Sequence, residues 1–186
     1  MPLSLGQRLP LTLTSGKWTH KFRKMLMQIK RANPEDYEEI LALNESALPH
    51  VNSISRLTLE DLHRASRYFG VIHIDGQIAG FLLALGEGAN YKSINYLWFD
   101  NHYSTFAYID RIVIRADFRR MGLGQKLYAD LEESVAGSSP MLTCEVNLRP
   151  PNPGSIVFHQ QLGFAEVDQQ ETEQGAKRVS LMVKTL

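Results

Sequence analysis

The sequence predicts a one-domain α/β (α+β) protein, with a mixed central sheet of about six to seven strands flanked by about four helices. Three observations predict it. "FGVIHI" and "IAGFLLAL" are β-rich runs parted by Asp75-Gly76-Gln77, a hairpin signal that makes the first half antiparallel. "YIDRIVIRADF", "RRMGLG" and "QKLYADLEESV" read strand, glycine turn, helix, and the strand-like "MLTCEV" follows, which is the order of a βαβ crossover. The chain has 186 residues, 44% of them hydrophobic and 9% aromatic, enough for a packed core, and no internal repeat or Pro/Ser/Gly linker divides it after Met25.

Taken in order, "MLMQIKRA" alternates as a first strand. "NPEDYEEILALNESAL" follows as a helix, with Asn33 as cap, Pro34 in the first turn, and Tyr37, Ile40, Leu41, Asn44 and Leu48 on one face. A second, shorter helix is expected in "TLEDLHRASRY", ahead of the hairpin strands. "GEGANYKSINYLWFDNHYS" reads as a long irregular stretch, and its aromatic residues argue against disorder. "FAYIDRIVI" is the next strand, buried on both faces. Leu123, Leu127, Leu131 and Val135 then recur at spacing four along a helix. "SIVFHQQL" is a short helix between the strands "MLTCEV" and "FAEVDQQ", and "RVSLMVKTL" closes the sheet after a turn at Gly175.

Residues 1–31 hold seven Lys/Arg and no acid, so the formally neutral chain leaves thirteen basic residues against all twenty Asp/Glu in residues 32–186, a body charge of −7. An acidic body speaks against broad nucleic-acid binding. Residues 1–24 read as a basic, loosely ordered tail or an overlong start before Met25 or Met27, with a partner-binding arm as the competing reading; the domain is expected to span 25–186. A mitochondrial targeting role is set against the segment's poor helical amphipathicity. The single Cys144 excludes an internal disulfide and fits a reducing cytoplasm. Six dispersed histidines show no metal-ligand spacing, so no metal is expected. Nor does any apolar run approach the roughly 18 residues that span a membrane.

The functional signal is the turn Arg119–Gly124. A helix N-terminus opened by glycines offers unpaired N–H groups and positive dipole charge to a phosphate. The dinucleotide fingerprint fails, because Leu127 stands where its third glycine belongs; the P-loop fails, because Gly124-Gln125-Lys126 replaces Gly-Lys-Ser/Thr. The chain instead resembles the GNAT superfamily of acyl-CoA-dependent N-acyltransferases. Arg119, Gly122 and Gly124 match that family's Arg/Gln-x-x-Gly-x-Gly/Ala motif. "NPGSIVFHQQLGF" matches its later Asn-x-x-Ala-x-x-Phe-Tyr-x-x-x-Gly-Phe segment at Asn152, Phe158, Gly163 and Phe164.

The resemblance implies a sheet whose fourth and fifth strands splay to hold the arm of coenzyme A, with acetyl-CoA as co-substrate. It implies a pyrophosphate on Arg119, Arg120, Met121, Gly122, Leu123, Gly124 and Gln125, a pantetheine arm along Ile112, Val113 and Ile114, and further contacts from Asn152, Ser155 and Phe158. It suggests Glu145, in "CEV", as the leading base, with Asp110 next. His159 stands where the family commonly has an acidic tyrosine, and is a candidate proton donor. Structural pairing of Asp110 or Glu145 with Arg111 or Arg149 is the competing reading for each. Glu45, His50 and Asn52, together with Tyr91, Trp98 and Tyr103 of the aromatic stretch, are candidates to bind the acceptor; loop anchors packed on the domain, the more common fate of loop aromatics, are the competing reading for the last three. The expected acceptor is a primary amine on a small molecule or a protein. A non-catalytic acyl-CoA-binding domain is the rival, supported by the absent tyrosine. Homodimers are frequent in the superfamily, although no interface signature is visible.

Overall fold

The computed structural model describes residues 25–186, and the expected tail at 1–24 lies outside them. In order come β1 (Met27–Arg31), α1 (Tyr37–Glu45), α2 (Arg56–Ala65), β2 (Ser66–Ile74), β3 (Gln77–Gly86), α3 (Ile94–His102), β4 (Ala107–Ile114), α4 (Leu123–Val135), β5 (Met141–Arg149), α5 (Pro153–Gln161), β6 (Ala165–Thr172) and β7 (Lys177–Thr185). The seven strands form one sheet in the order β1-β2-β3-β4-β5-β7-β6. Every neighbouring pair is antiparallel except β4 and β5, the product of the crossover through α4.

Local chemistry sets the helix ends. Asn33 accepts from the Glu35 N–H while Asp36 accepts from the Asn33 N–H, a capping box that starts the turn leading into α1. Tyr37, Ile40 and Asn44 are buried as expected, but α1 stops at Glu45, and Leu48, which lies beyond it, is 44% exposed. Ser55 caps α2 through the Thr58 N–H, and "SRY", expected in that helix, opens β2 instead. The irregular stretch contains a whole further helix, α3, which Ser93 caps by accepting from the Tyr96 N–H. Tyr96 and Phe99 of α3 are buried three residues apart against β4.

Two apolar layers sandwich the sheet. On one face α1, α2 and α3 pack Ile40, Leu59 and Phe99 against Phe81, Leu83 and Tyr108. On the other, α4 packs Leu127, Leu131 and Val135 against Leu82, Ile109 and Leu142.

β4 carries a bulge. Ile109 pairs with Ala84 and Arg111 with Leu83, so Asp110 is an extra residue, and the alternation of side chains resets after it. The reset turns Arg111 to the α1 face, where its Nη1 donates to Asn44 Oδ1 at 2.8 Å and its Nε to Asp110 Oδ2 at 2.6 Å. Both side chains of this ion pair are almost fully enclosed, 5% and 3% exposed. Removing one partner of a buried pair leaves an uncompensated charge, which costs roughly 3–5 kcal/mol. Arg111→Met is therefore expected to lower unfolding free energy in urea by about that amount, and Asp110→Asn added to it to recover part. A loss under about 1 kcal/mol would show that the pair is dispensable to the fold.

Candidate active site

β4 and β5 are paired only from Ala107↔Leu142 to Ile109↔Cys144. Beyond Ile109 and Cys144 they part, and the opening is a cavity of about 980 Å³. One end is walled by Ile112, Val113 and Ile114 of β4, by the turn to α4, and by α5; the other by the α1–α2 loop, the segment before α3, and the β6–β7 turn.

The turn leaves the start of α4 open to the cavity. Arg120 (φ 62°) and Gly122 (φ 75°) both take left-handed backbone, which brings the chain sharply round into α4. Gly122 occupies the cap position and supplies no capping side chain, so the first-turn residues Leu123, Gly124 and Gln125 meet the cavity with their backbone donors uncapped. Gly124 has a different reason to be glycine: a Cβ there would stand 2.9 Å from Phe158 Cζ of α5. Arg119 and Arg120 also reach the cavity, and Arg119 Nε donates to the Ile114 carbonyl at 3.2 Å. Met121 does not line it and is 41% exposed. Asn152 caps α5 by accepting from the Ser155 N–H, and both residues line the same wall with Phe158.

At the other end stand two carboxyl groups. Asp110 is committed to Arg111. Among the described residues no cation pairs with Glu145; Tyr108 Oη donates to its Oε2 at 2.7 Å and Asn95 Nδ2 to its Oε1 at 3.2 Å. Burial, reinforced by the Asp110 charge, pushes the Glu145 carboxyl up to about 7, against the pull of these two hydrogen bonds. Tyr91 lines the cavity beside Asp110 and stays protonated, its hydroxyl raised first by burial and then by that charge.

His159 is buried, and both ring nitrogens are engaged. Nδ1 faces the Ser155 carbonyl at 2.8 Å, and that oxygen can only accept, so Nδ1 carries the proton; Nε2 then accepts from Tyr128 Oη at 2.8 Å. Burial also lowers its pKa, keeping it neutral. A histidine with its one N–H bonded to its own helix and its lone pair filled from α4 ties α5 to α4, and is not presented as a proton donor.

Of the acceptor candidates, His50, Asn52 and Tyr91 reach the cavity. Glu45, Trp98 and Tyr103 do not. Glu45 is the exposed last residue of α1, Trp98 stacks on His102 at 3.9 Å, and Tyr103 stacks on Phe99, so these two aromatics anchor α3 to the core. The α1–α2 loop is strapped across the opening: Asn147 Nδ2 donates to the His50 carbonyl at 3.3 Å, and Lys177 Nζ to Asn52 Oδ1 at 2.8 Å. Asn95 was not among the expected residues, because it sits on the unforeseen α3; the capping Ser93 and the Tyr96/Phe99 spacing were the available signals.

A splayed parallel pair beside a glycine turn is the arrangement that the two motifs implied, and residues 28–164 match the acetyltransferase (GNAT) family. The chain belongs to that family. It is also similar to an N-alpha-acetyltransferase of Sulfolobus acidocaldarius, 26% identical over 147 residues, which cover 78% of this chain and 83% of the relative. Its fold is that of Ard1 from Thermoplasma volcanium (TM-score 0.70, 21% identity, 86% of this chain and 97% of that one). The fold is equally that of Arabidopsis thaliana Naa50 in complex with the bisubstrate analogue CoA-Ac-MVNAL (TM-score 0.66, 13% identity, 86% and 99%). Among the described residues no helix is long and apolar enough to cross a membrane, and no cluster of His, Cys, Asp and Glu is placed to hold a metal.

Two expectations follow for this acetyltransferase. Gly122→Asp would set a side chain and a negative charge at the uncapped turn, in a backbone conformation that disfavours it; acetyl-CoA affinity by calorimetry should fall more than about tenfold, some 1.4 kcal/mol. Unchanged affinity in the folded variant would disprove the phosphate assignment. The second concerns stability. Between the ordinary carboxylate range and about 7, the folded chain keeps a proton on Glu145 that the unfolded chain has lost, so stability falls as pH rises through that window. Glu145→Gln should flatten the pH dependence of the thermal midpoint between about pH 5 and pH 8, and an unaltered slope would place the Glu145 titration elsewhere.

Proposed function

We propose that this acetyltransferase moves the acetyl group of acetyl-CoA directly to the α-amine at a polypeptide N-terminus, with Glu145 as the base. The observation that carries the reading is Glu145 itself: a carboxylate that no cation among the described residues pairs, poised near neutrality, at the point where β4 and β5 separate. A base of that strength suits an α-amino group, whose ordinary pKa is about 7.7–8.0, far better than a lysine amine at about 10.4. The strapped α1–α2 loop narrows the acceptor end, which favours a chain terminus over a bulky surface, and the relative from Sulfolobus acidocaldarius acts in the same sense. The free, buried Cys144 is in keeping with a cytoplasmic setting.

The chain's residues divide the work. The uncapped first turn of α4, with Arg119 and Arg120, holds the pyrophosphate of the donor. The open edge of β4 near Ile112 aligns the donor's arm and offers backbone N–H groups to the oxygen that gains charge during transfer. Glu145 accepts the proton from the incoming amine, directly or through one water, and Tyr108 and Asn95 fix the carboxylate for that task. His159 holds α5 in register, so the departing thiolate is reprotonated from solvent in the cavity or by Tyr91.

Peptides of differing first residue, each free or blocked at the α-amine and each carrying one internal lysine, would be incubated with acetyl-CoA and the products fragmented by mass spectrometry. Acetylation at the first residue of the free peptides is expected, with kcat/KM rising as pH passes through about 7. Glu145→Gln should lower kcat by roughly 10²–10⁴-fold with little change in acetyl-CoA affinity. Acetylation of lysine alone would overturn the acceptor assignment, and parent-like kcat in Glu145→Gln would overturn the base.

A further inference from the structure

The two hydrogen bonds on Glu145 differ in kind. Tyr108 is a neighbour within the sheet, and its hydroxyl need only rotate its hydrogen to donate to an ionised Glu145 or accept from a protonated one. Asn95 reaches over from α3 with a carboxamide, which has a donating end and an accepting end, and either could be turned toward Glu145. An ionised Glu145 needs the donating end. A protonated Glu145 could equally give its O–H to the accepting end. The orientation of one amide therefore bears on which form of Glu145 the site favours.

Gln170 is the second group bonded to that amide. It lies on β6, the edge strand beyond β7, outside the cavity, and its Nε2 donates to Asn95 Oδ1 at 2.9 Å. With Oδ1 so occupied, the Asn95 NH₂ is left facing Glu145 Oε1. The other ionisable groups around Glu145 are Tyr108 and Asp110 of β4, the latter paired with Arg111, Tyr91 ahead of α3, and the adjoining Cys144; across on β7 its partner is the apolar Leu181. None of these can turn the Asn95 amide.

We propose that Asn95 is a positioning residue for Glu145, and that Gln170, from outside the cavity, fixes the direction of the Asn95 amide so that it always donates to the carboxylate. The proposal rests on Glu145 being the base. It extends the working site to an edge-strand residue that does not line the cavity.

The test combines two readouts. Direct titration of the Glu145 carboxyl by carbon NMR, with its resonance assigned by loss in Glu145→Gln, follows the group whether or not it is catalytic; the pH profile of kcat/KM follows the base. In Asn95→Leu both the resonance midpoint and the acid limb should move to higher pH, since a bond to the charged form is lost, with kcat/KM near pH 6 falling roughly threefold to tenfold and that near pH 9 changing less than about twofold. Gln170→Glu, at a half-buried position on the edge strand, should do the same, because its carboxylate can only accept and would draw the Asn95 NH₂ away. In the double variant Asn95→Leu/Gln170→Glu the second change should add nothing. An unmoved resonance in a folded Asn95→Leu would overturn the proposal. A Gln170→Glu shift that persists undiminished in the double variant would mean that position 170 acts through its charge, and would overturn the relay. If instead the NMR shift occurs while the acid limb stays fixed, the positioning holds and the assignment of Glu145 as base falls.

Discussion

Everything at this site depends on the brevity of one strand pairing. β4 and β5 hydrogen-bond over three residue pairs and then diverge, which leaves the remainder of β4 with an unpaired edge in the middle of a sheet. A buried unpaired edge is ordinarily unfavourable, since each backbone group without a partner costs free energy. Here the edge faces a cavity, where water or an extended ligand can satisfy it. The bulge at Asp110 coincides with the point of divergence and sends Asp110 and Arg111 toward α1, so the ion pair anchors the near wall as the strands open. Asn44 and the Asn52 carbonyl continue that anchor into the α1–α2 loop, and Lys177 carries it to the β6–β7 turn.

The same geometry separates two carboxyl groups chemically. Asp110 and Glu145 both point to the α1–α3 side near the opening, and the Asp110 charge raises the cost of charging Glu145. Arg111 settles the matter by pairing with Asp110 alone. Glu145 is left with neutral donors only, which orient it without fixing its charge. A carboxylate held near neutrality costs folding free energy at alkaline pH, and the two apolar layers supply the stability against which that cost is set.

Most of the fold was legible because its elements obey local rules. The hairpin at Asp75-Gly76, the spacing-four leucines of α4 and the capped start of α1 all follow from nearest-neighbour chemistry, and the structure has them where the sequence implies. α3 was not legible in the same way: its apolar residues Ile94, Tyr96, Leu97 and Phe99 are spread around the helix, because its outer face keeps Ile94 and Leu97 exposed while Tyr96 and Phe99 enter the core. Missing that helix hid Asn95 and turned Trp98 and Tyr103 into apparent cavity residues. His159 was misleading for a different reason. Its position in the motif implies a donor facing the substrate, but what an imidazole can do is set by its partners: Ser155 lies one helical turn back in α5, while Tyr128 is a neighbour only in three dimensions.

The turn "RRMGLG" shows how one motif can answer to unrelated demands. Gly122 is required by backbone geometry, for its φ of 75° disfavours any side chain, and it leaves the first turn of α4 uncapped. Gly124 is in ordinary helix, and its own dihedrals would admit alanine; what excludes a side chain is Phe158, the residue by which α5 closes on α4. The second motif thus contributes to the first. Phe158 covers Gly124, His159 next to it binds Tyr128 on α4, and together they set how near α5 stands to the donor's end of the cavity. The histidine in place of tyrosine fits this joint: its two ring nitrogens separate the two tasks, Nδ1 donating to its own helix and Nε2 accepting from Tyr128 within one buried contact.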